Sequence, residues 1–326
     1  MIAAGPRGDT PGGGAGSSPA IEEAAAAAGA PSIDALLVKT SRTFALSIPL
    51  LPEPTRREVG IAYLLFRIAD TFEDAVGWPR ERRLAAFAEL DELLAAPDAA
   101  RDRIAGWLAP PPPIPHAGYQ ELLAASPAVL DAYAELAVGA REVIRHHLGR
   151  TLAGMARFVA ASDERGVLAL STLGELREYC YAVAGIVGEM LCELFLLDAA
   201  ALAPVAQRMR ARAAAFGEGL QLVNILKDAG GDAREGRCYL PAGVPRAAVL
   251  ALARADLEAA REYVRALHEV SAPRGLIAFT ALPVLLAADS LDLVEREGPG
   301  VKVSRPRVGS LVAQLDAALD RGAPPF

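Results

Sequence analysis

From Ser32 almost to the end of the chain, apolar positions recur at i, i+3, i+4 and i+7, the spacing of one face of an α-helix. The pattern predicts helices near 33–41, 54–76, 79–96, 119–125, 127–161, 172–198, 203–229, 246–271, 274–297 and 304–319. Pro52, Pro54, Pro79, Pro97, Pro127 and Pro204 fall at starts or breaks of these segments, where a missing N–H costs least. No stretch alternates with the two-residue period of a half-buried strand, and no fixed repeat is evident. Residues 1–30 are Gly, Ala, Pro and Ser with little pattern and read as a disordered tail. The run from Ala109 to Pro115 reads as a stiff, extended connection. Residues 31–319 are then one all-α domain, a single-domain helical bundle around a central apolar cavity, and 320–326 a short tail.

Composition supports helices and a large core. The chain has 326 residues, of which 52% are hydrophobic and only 6% aromatic, with alanine abundant. A net charge of −7, with no dense Lys/Arg block to reverse it, argues against a nucleic-acid partner. Cys180, Cys192 and Cys238 are odd in number and match no zinc spacing, which suggests a reduced, cytoplasmic protein. The histidines are too scattered for a metal centre. No segment is expected to span a membrane: the uncharged apolar run Gly275 to Ala288 is interrupted by Pro283 and is too short. The N-terminus lacks the order of a signal peptide, and the C-terminus carries no apolar anchor.

Two acidic clusters carry the chemistry. Asp70, Glu73 and Asp74 close the run IAYLLFRIADTFED, and Asp228 and Asp232 close GEGLQLVNILKDAGGD. Positions i, i+3 and i+4 share a helix face, so each cluster points one way. Carboxylates crowded on an apolar helix repel one another unless a cation lies between them. Such oxygen-rich sites suit Mg²⁺, which completes its shell with water and substrate phosphates. Tyr63 and Arg67 lie on the face of the first cluster; taken alone, this reads rather as a surface helix with an Arg–Asp pair, since such pairs are common. Gln221, Asn224, Asp228 and Asp232 form one stripe on an otherwise apolar helix, which favours a cavity wall over a solvent face. Lys227 beside them, and Arg234 and Arg237 in the next segment, are candidate phosphate partners. Ser41-Arg42-Thr43-Phe44 adds another basic element, whose plain reading is a helix C-terminus with a dipole-complementing Arg. Tyr179 precedes a stretch of small residues, Ala184, Gly185 and Gly188, that allows close helix packing or makes room for a long apolar ligand. Phe44, Phe66, Tyr179 and Tyr181 are candidate aromatic faces for positive charge.

The segments SRTFALSIPLLP (41–52), YLLFRIADTFEDA (63–75), YCYAVAGIVG (179–188) and QLVNILKDAGGDAREGRCYLP (221–241) together resemble the squalene/phytoene synthase family, in its order and with about its separations. The resemblance covers roughly residues 32–318. It implies an all-α isoprenoid-synthase fold with a central apolar channel. It also implies head-to-head joining of two allylic prenyl diphosphates through a cyclopropyl intermediate. By resemblance, Asp70, Glu73 and Asp74 match the first metal motif and Asp228 and Asp232 the second, for two or three Mg²⁺ bridged by diphosphate. Ser41, Arg42, Tyr63, Arg67, Lys227 and Arg237 fall where the family handles diphosphate. Gln221 and Asn224 match polar channel residues, and Tyr179 a tyrosine that steers the carbocation or its proton. Phe44 joins them as a substrate-side residue.

Two positions depart from the family pattern: Gly231 stands where an acid is usual, and Lys227 where Arg is usual. The sequence Asp-Thr-Phe-Glu-Asp leans toward farnesyl rather than geranylgeranyl diphosphate and hence to a C30 product. Squalene would require hydride from NADPH; dehydrosqualene or phytoene would require only proton loss. A class I terpene cyclase on a single prenyl diphosphate is the enzymatic rival, opposed by the spacing of Asp228 and Asp232. A non-catalytic binding or assembly partner is the other rival, supported only by Gly231. A product this apolar is compatible with loose membrane association, and the sequence sets no oligomeric state.

Overall fold

The computed structural model describes residues 31–41, 44–97, 107–109, 111–163, 166–234 and 238–326, without the side chains of 232–234. Among the described residues twelve helices of eight residues or more carry the fold: α1 (Ile33–Thr40), α2 (Thr55–Glu73), α3 (Arg80–Ala95), α4 (Ala117–Ala124), α5 (Ser126–Ala134), α6 (Val138–Ala161), α7 (Leu173–Cys180), α8 (Ile186–Asp198), α9 (Ala206–Arg234), α10 (Arg246–Glu269), α11 (Arg274–Glu297) and α12 (Arg305–Asp320). A helical turn at Phe44–Ser47 and a 3₁₀ turn at Ile48–Leu50 precede α2. Among the described residues there is no strand, only an isolated parallel bridge between Ala169 and Cys238. The all-α expectation holds.

Local chemistry sets several helix starts. The hydroxyls of Ser32, Thr172 and Ser304 accept from the backbone N–H groups of Ala35, Glu175 and Arg307, which satisfies donors that the first turn leaves free. Prolines 54, 79, 245 and 273 sit immediately before α2, α3, α10 and α11.

The central element is α2, buried from Val59 to Phe72 and packed by α1, α3, α4, α5, α6 and α8. On the other side α9 packs on α8, α10 and α11. The two helices that bear the acidic motifs, α2 and α9, therefore share α8 as a common wall. The contact of α9 with the α7–α8 segment is backbone to backbone. A Cβ at Gly217 would lie 1.9 Å from the Ala184 carbonyl oxygen, and one at Gly188 would lie 2.0 Å from that of Ala213. Close packing is thus what the small residues of this segment do.

Several predicted boundaries change. The helix expected over 127–161 is two helices, α5 and α6, with a corner at Glu135–Ala137. Tyr133 donates to the Arg141 carbonyl at 3.2 Å and the Arg141 guanidinium to that of Ala134, so side chains stitch a corner that no proline or glycine announces. The helix expected over 172–198 contains a π-turn at Tyr181–Gly185. The helix expected to stop at 229 continues through Gly230 and Gly231 to Arg234. The helix expected over 54–76 ends at Glu73.

Among the described residues two helices, Leu173–Asp198 and Arg274–Glu297, are long and apolar enough to cross a membrane by length and composition alone. Their apolar windows are 67% and 61% buried inside the protein, where they form core. The chain's end is not loose: Phe326 packs on the core with the Arg261 guanidinium 5.8 Å from its ring. The predicted N-terminal tail lies outside the described residues.

Candidate active site

The last two turns of α2 supply the first acidic motif. Burial of this helix on nearly every side forces its charged residues to find partners within the protein. Arg67 Nη1 lies 3.2 Å from Asp70 Oδ2, with the two side chains only 3% and 10% exposed. Arg67 Nη2 also donates to the Tyr63 hydroxyl at 3.2 Å, and that hydroxyl donates to the Thr40 carbonyl at 2.9 Å. The guanidinium sits about equally far from the Tyr63 and Tyr119 rings, at 5.5 and 5.4 Å. Burial opposes the charge on Arg67, but Tyr63 and Asp70 outweigh it and hold the group more firmly protonated than usual. The plain alternative of a solvated surface pair is excluded.

One turn on, the Tyr179 hydroxyl donates to Glu73 Oε1 at 3.3 Å across 106 residues of sequence. Tyr179 is itself stacked on Tyr239 with ring centres 4.9 Å apart, and meets Phe158 edge-on at 5.2 Å. Burial, then the Asp74 and Asp70 charges, push the Glu73 carboxyl up to about 8. Burial and Glu73 likewise push the Tyr179 hydroxyl well above its ordinary value. Asp74 caps the helix C-terminus. A recess beside this cluster is lined by Glu73, Asp74, Arg83, Ser162 and Tyr239 on its polar side and by Phe158 and Leu168 on its apolar side.

The stripe on α9 is oriented inward. Gln221 is buried, and its Oε1 and the buried Asn224 Nδ2 have no hydrogen-bond partner among the described residues. Lys227 donates to Asn224 Oδ1 at 3.0 Å and lies 3.4 Å from Asp228 Oδ2. Lys227 is therefore engaged along its own helix. The backbone of α9 places residue 232 four positions beyond Asp228 in the same helix; the Asp232 side chain lies outside the described set, as do Arg42 and Arg237. A Cβ at Gly231 would meet nothing within 4 Å, so packing does not forbid an acid there.

Ser41 caps the Phe44–Ser47 turn by accepting from the Phe44 N–H at 2.9 Å. Phe44 lies 5.7 Å from the Tyr63 ring and 6.2 Å from Phe279, so this segment does border the Tyr63–Arg67 pair. Of the other aromatic candidates, Phe66 is fully buried in the core. Tyr181 turns instead to Arg150 and Glu189, donating to Glu189 Oε1 at 3.2 Å and accepting from the Arg150 guanidinium.

Three neighbours of the site were not legible as such. Arg83 reads as one of several arginines on an exposed helix start, Tyr119 as an interior residue of a short helix, and Tyr239 as part of a loop. For Tyr239 the only signal is its place in the matched segment 221–241.

Among the described residues no three acidic, histidine or cysteine side chains already converge as a metal-ligand set. The first motif nevertheless suits a hard cation. Asp70 Oδ2 is buried and faces Arg67 Nη1 as an ion pair at 3.2 Å rather than in a hydrogen bond, and burial together with the Asp74 and Asp70 charges raises the proton affinity of Glu73. A divalent ion would offset that crowding of carboxylates.

A family model described as squalene/phytoene synthase matches residues 37–247. The squalene synthase of Schizosaccharomyces pombe is 29% identical over 206 residues, covering 63% of this chain and 43% of that protein. The phytoene synthase of Thermus thermophilus is 42% identical over 82 residues, covering 25% of this chain and 26% of that protein. The matches thus span less than half the length of these curated relatives. A solved complex of TcSQS with a ligand superposes with a TM-score of 0.72 at 24% identity, covering 89% of this chain and 87% of that one. At that identity the likeness concerns the fold.

Proposed function

The chain belongs to the squalene/phytoene synthase family, and on that premise we propose that it is a Mg²⁺-dependent prenyltransferase. It would join two allylic prenyl diphosphates head to head through a cyclopropyl diphosphate, with farnesyl diphosphate the favoured substrate and a C30 hydrocarbon the product. The observation that carries this reading is the Tyr179–Glu73 hydrogen bond, which brings the tyrosine segment onto the first acidic motif.

Asp70, Glu73, Asp74, Asp228 and Asp232 would hold Mg²⁺, which supplies neutralisation of the leaving diphosphate. Arg67 holds Asp70 in place from within the core. Lys227 gives a compact positive charge next to Asp228; it keeps the charge of the usual Arg but lacks its bidentate fork. The carbocation left after departure of diphosphate must be kept from water. Phe44, Phe158, Tyr179 and Tyr239 offer apolar and aromatic surface for that purpose. Burial and Glu73 push the Tyr179 hydroxyl well above its ordinary value, and from its place between Glu73 and Tyr239 it would steer the carbocation or its proton. Asn224 and Gln221 would present to a substrate lying against α9 amide atoms that have no partner among the described residues.

Product analysis tests the proposal. Purified protein is incubated with Mg²⁺ and farnesyl or geranylgeranyl diphosphate, with and without NADPH, and the extract is read by mass spectrometry. A C30 or C40 hydrocarbon supports head-to-head coupling, and its dependence on NADPH identifies the reductive branch. A cyclopropyl alcohol after phosphatase treatment means the second half-reaction stalls, pointing to Gly231. A cyclic product from one diphosphate, or no consumption by folded protein, overturns the reading. Recovery of the protein with phospholipid vesicles on flotation would support loose membrane association.

A further inference from the structure

We infer that Arg83 is a positioning residue for the first acidic motif, acting through the backbone of Phe72 and Glu73. The inference rests on the reading of Asp70, Glu73 and Asp74 as ligands for a divalent cation.

The last carbonyls of a helix have no partner within it. In α2 these carbonyls fall at the acidic motif itself. Arg83, one turn into α3, donates from Nε to the Phe72 carbonyl at 3.2 Å and from Nη2 to the Glu73 carbonyl. Arg83 is only 4% exposed. A rigid planar fork that bridges two successive carbonyls fixes the peptide planes between them. Those planes set the direction in which the Glu73 and Asp74 side chains leave the helix. A cation at this end also offsets the negative pole of α2.

The surroundings keep the fork in place. Arg80, one turn earlier on α3, donates to the carbonyls of Ser162 at 2.5 Å and Asp163 at 3.0 Å, so the start of α3 holds the ends of both α2 and α6. Gly166, at φ +77°, passes beside the guanidinium: a Cβ there would come within 3.4 Å of Arg83 Nη1. Arg83, Glu73 and Asp74 line the same recess. Burying a guanidinium merely to end a helix is costly. Orienting two carboxylates gives that cost a function.

The test compares wild type, R83Q and R83K. Melting temperatures are measured without additions, with Mg²⁺ alone, and with Mg²⁺ plus inorganic diphosphate. In R83Q the concentration giving half-maximal stabilisation should rise about 10–100-fold, as when outer partners of metal ligands are removed. R83K, with the charge but not the fork, should fall between. A purely structural cap would lower the melting temperature of R83Q with and without ligand alike and leave the half-maximal concentration unchanged; that result overturns the inference. If R83Q does not fold, an unchanged concentration in R83K overturns it equally. Absence of any stabilisation in folded wild type would refute the cation reading itself, and the inference with it.

Discussion

Replacing Gly217 by alanine adds one methyl group where α9 meets the π-turn backbone to backbone. Its Cβ would lie 1.9 Å from the Ala184 carbonyl oxygen and 2.6 Å from the carbonyl carbon, both backbone atoms that cannot rotate away. An ordinary contact begins near 3.4 Å, so α9 and the π-turn would have to part by about 1.5 Å. Overpacking of this kind costs about 1–3 kcal/mol or more, against a gain of about 1 kcal/mol from helix propensity. With the cost at the upper end of that range, as a parting of about 1.5 Å against backbone requires, the net loss is about 2 kcal/mol, read as a fall of several degrees in melting temperature. The displacement also carries Gln221 and Asn224, one and two turns on, away from their inward positions. Gly309 in α12 is the control. It is exposed and a Cβ there meets nothing within 4 Å, so Gly309→Ala should gain about 0.5–1 kcal/mol. Denaturant unfolding of both variants gives the sign directly. A Gly217→Ala protein as stable as wild type would refute the crossing as described.

Two further variants probe buried charge. Arg67→Met leaves Asp70 without its cation in a site where the pair is almost fully enclosed, and should cost about 3–5 kcal/mol in urea unfolding; a loss below about 1 kcal/mol would mean that Asp70 finds other solvation. Asp256 is buried, with no hydrogen-bond partner for Oδ2 among the described residues and with Glu218 and Arg177 as charged neighbours. Burial pushes its carboxyl from 3.8 up to about 6, so the folded state binds that proton more tightly than the unfolded chain does. The resulting stability is complete below pH 3.8 and is lost as pH rises to about 6. Asp256→Asn should therefore flatten that stretch of the pH–stability curve and stabilise the protein at pH 7. At about 1.4 kcal/mol per pH unit the ceiling is about 3 kcal/mol, which solvent screening reduces to about 1–2. An unaltered curve would assign the titration elsewhere.

The periodicity revealed the helices because nearly all of them bury one face. It missed the corner at 135–137 because Tyr133 and Arg141 make it with side-chain hydrogen bonds. It missed the π-turn because one extra residue in a helix leaves no mark on composition. It stopped α9 too early because Gly230 and Gly231 weaken a helix without ending it. At the site, Asp70, Glu73, Tyr63 and Arg67 were legible because charge on so apolar a helix has few explanations. Arg83 was not, because a basic residue at a helix start normally faces water; only the fold brings it under the end of α2. Tyr181 was misplaced for the converse reason: the sequence showed an aromatic beside Tyr179 but not the Arg150 and Glu189 side chains that draw it away.

The solitary bridge between Ala169 and Cys238 puts a native thiol at the rim of the site. Cys238 is exposed, whereas Cys180 and Cys192 are buried, and burial makes both of those thiols less acidic, Cys192 to about 12. A maleimide dye should accordingly label Cys238 with no engineered residue and no cysteine removed. The dye would sit next to Tyr239, whose ring stacks on Tyr179. Any rearrangement of that stack as a substrate enters would change the emission, giving a stopped-flow record of binding separate from the appearance of product.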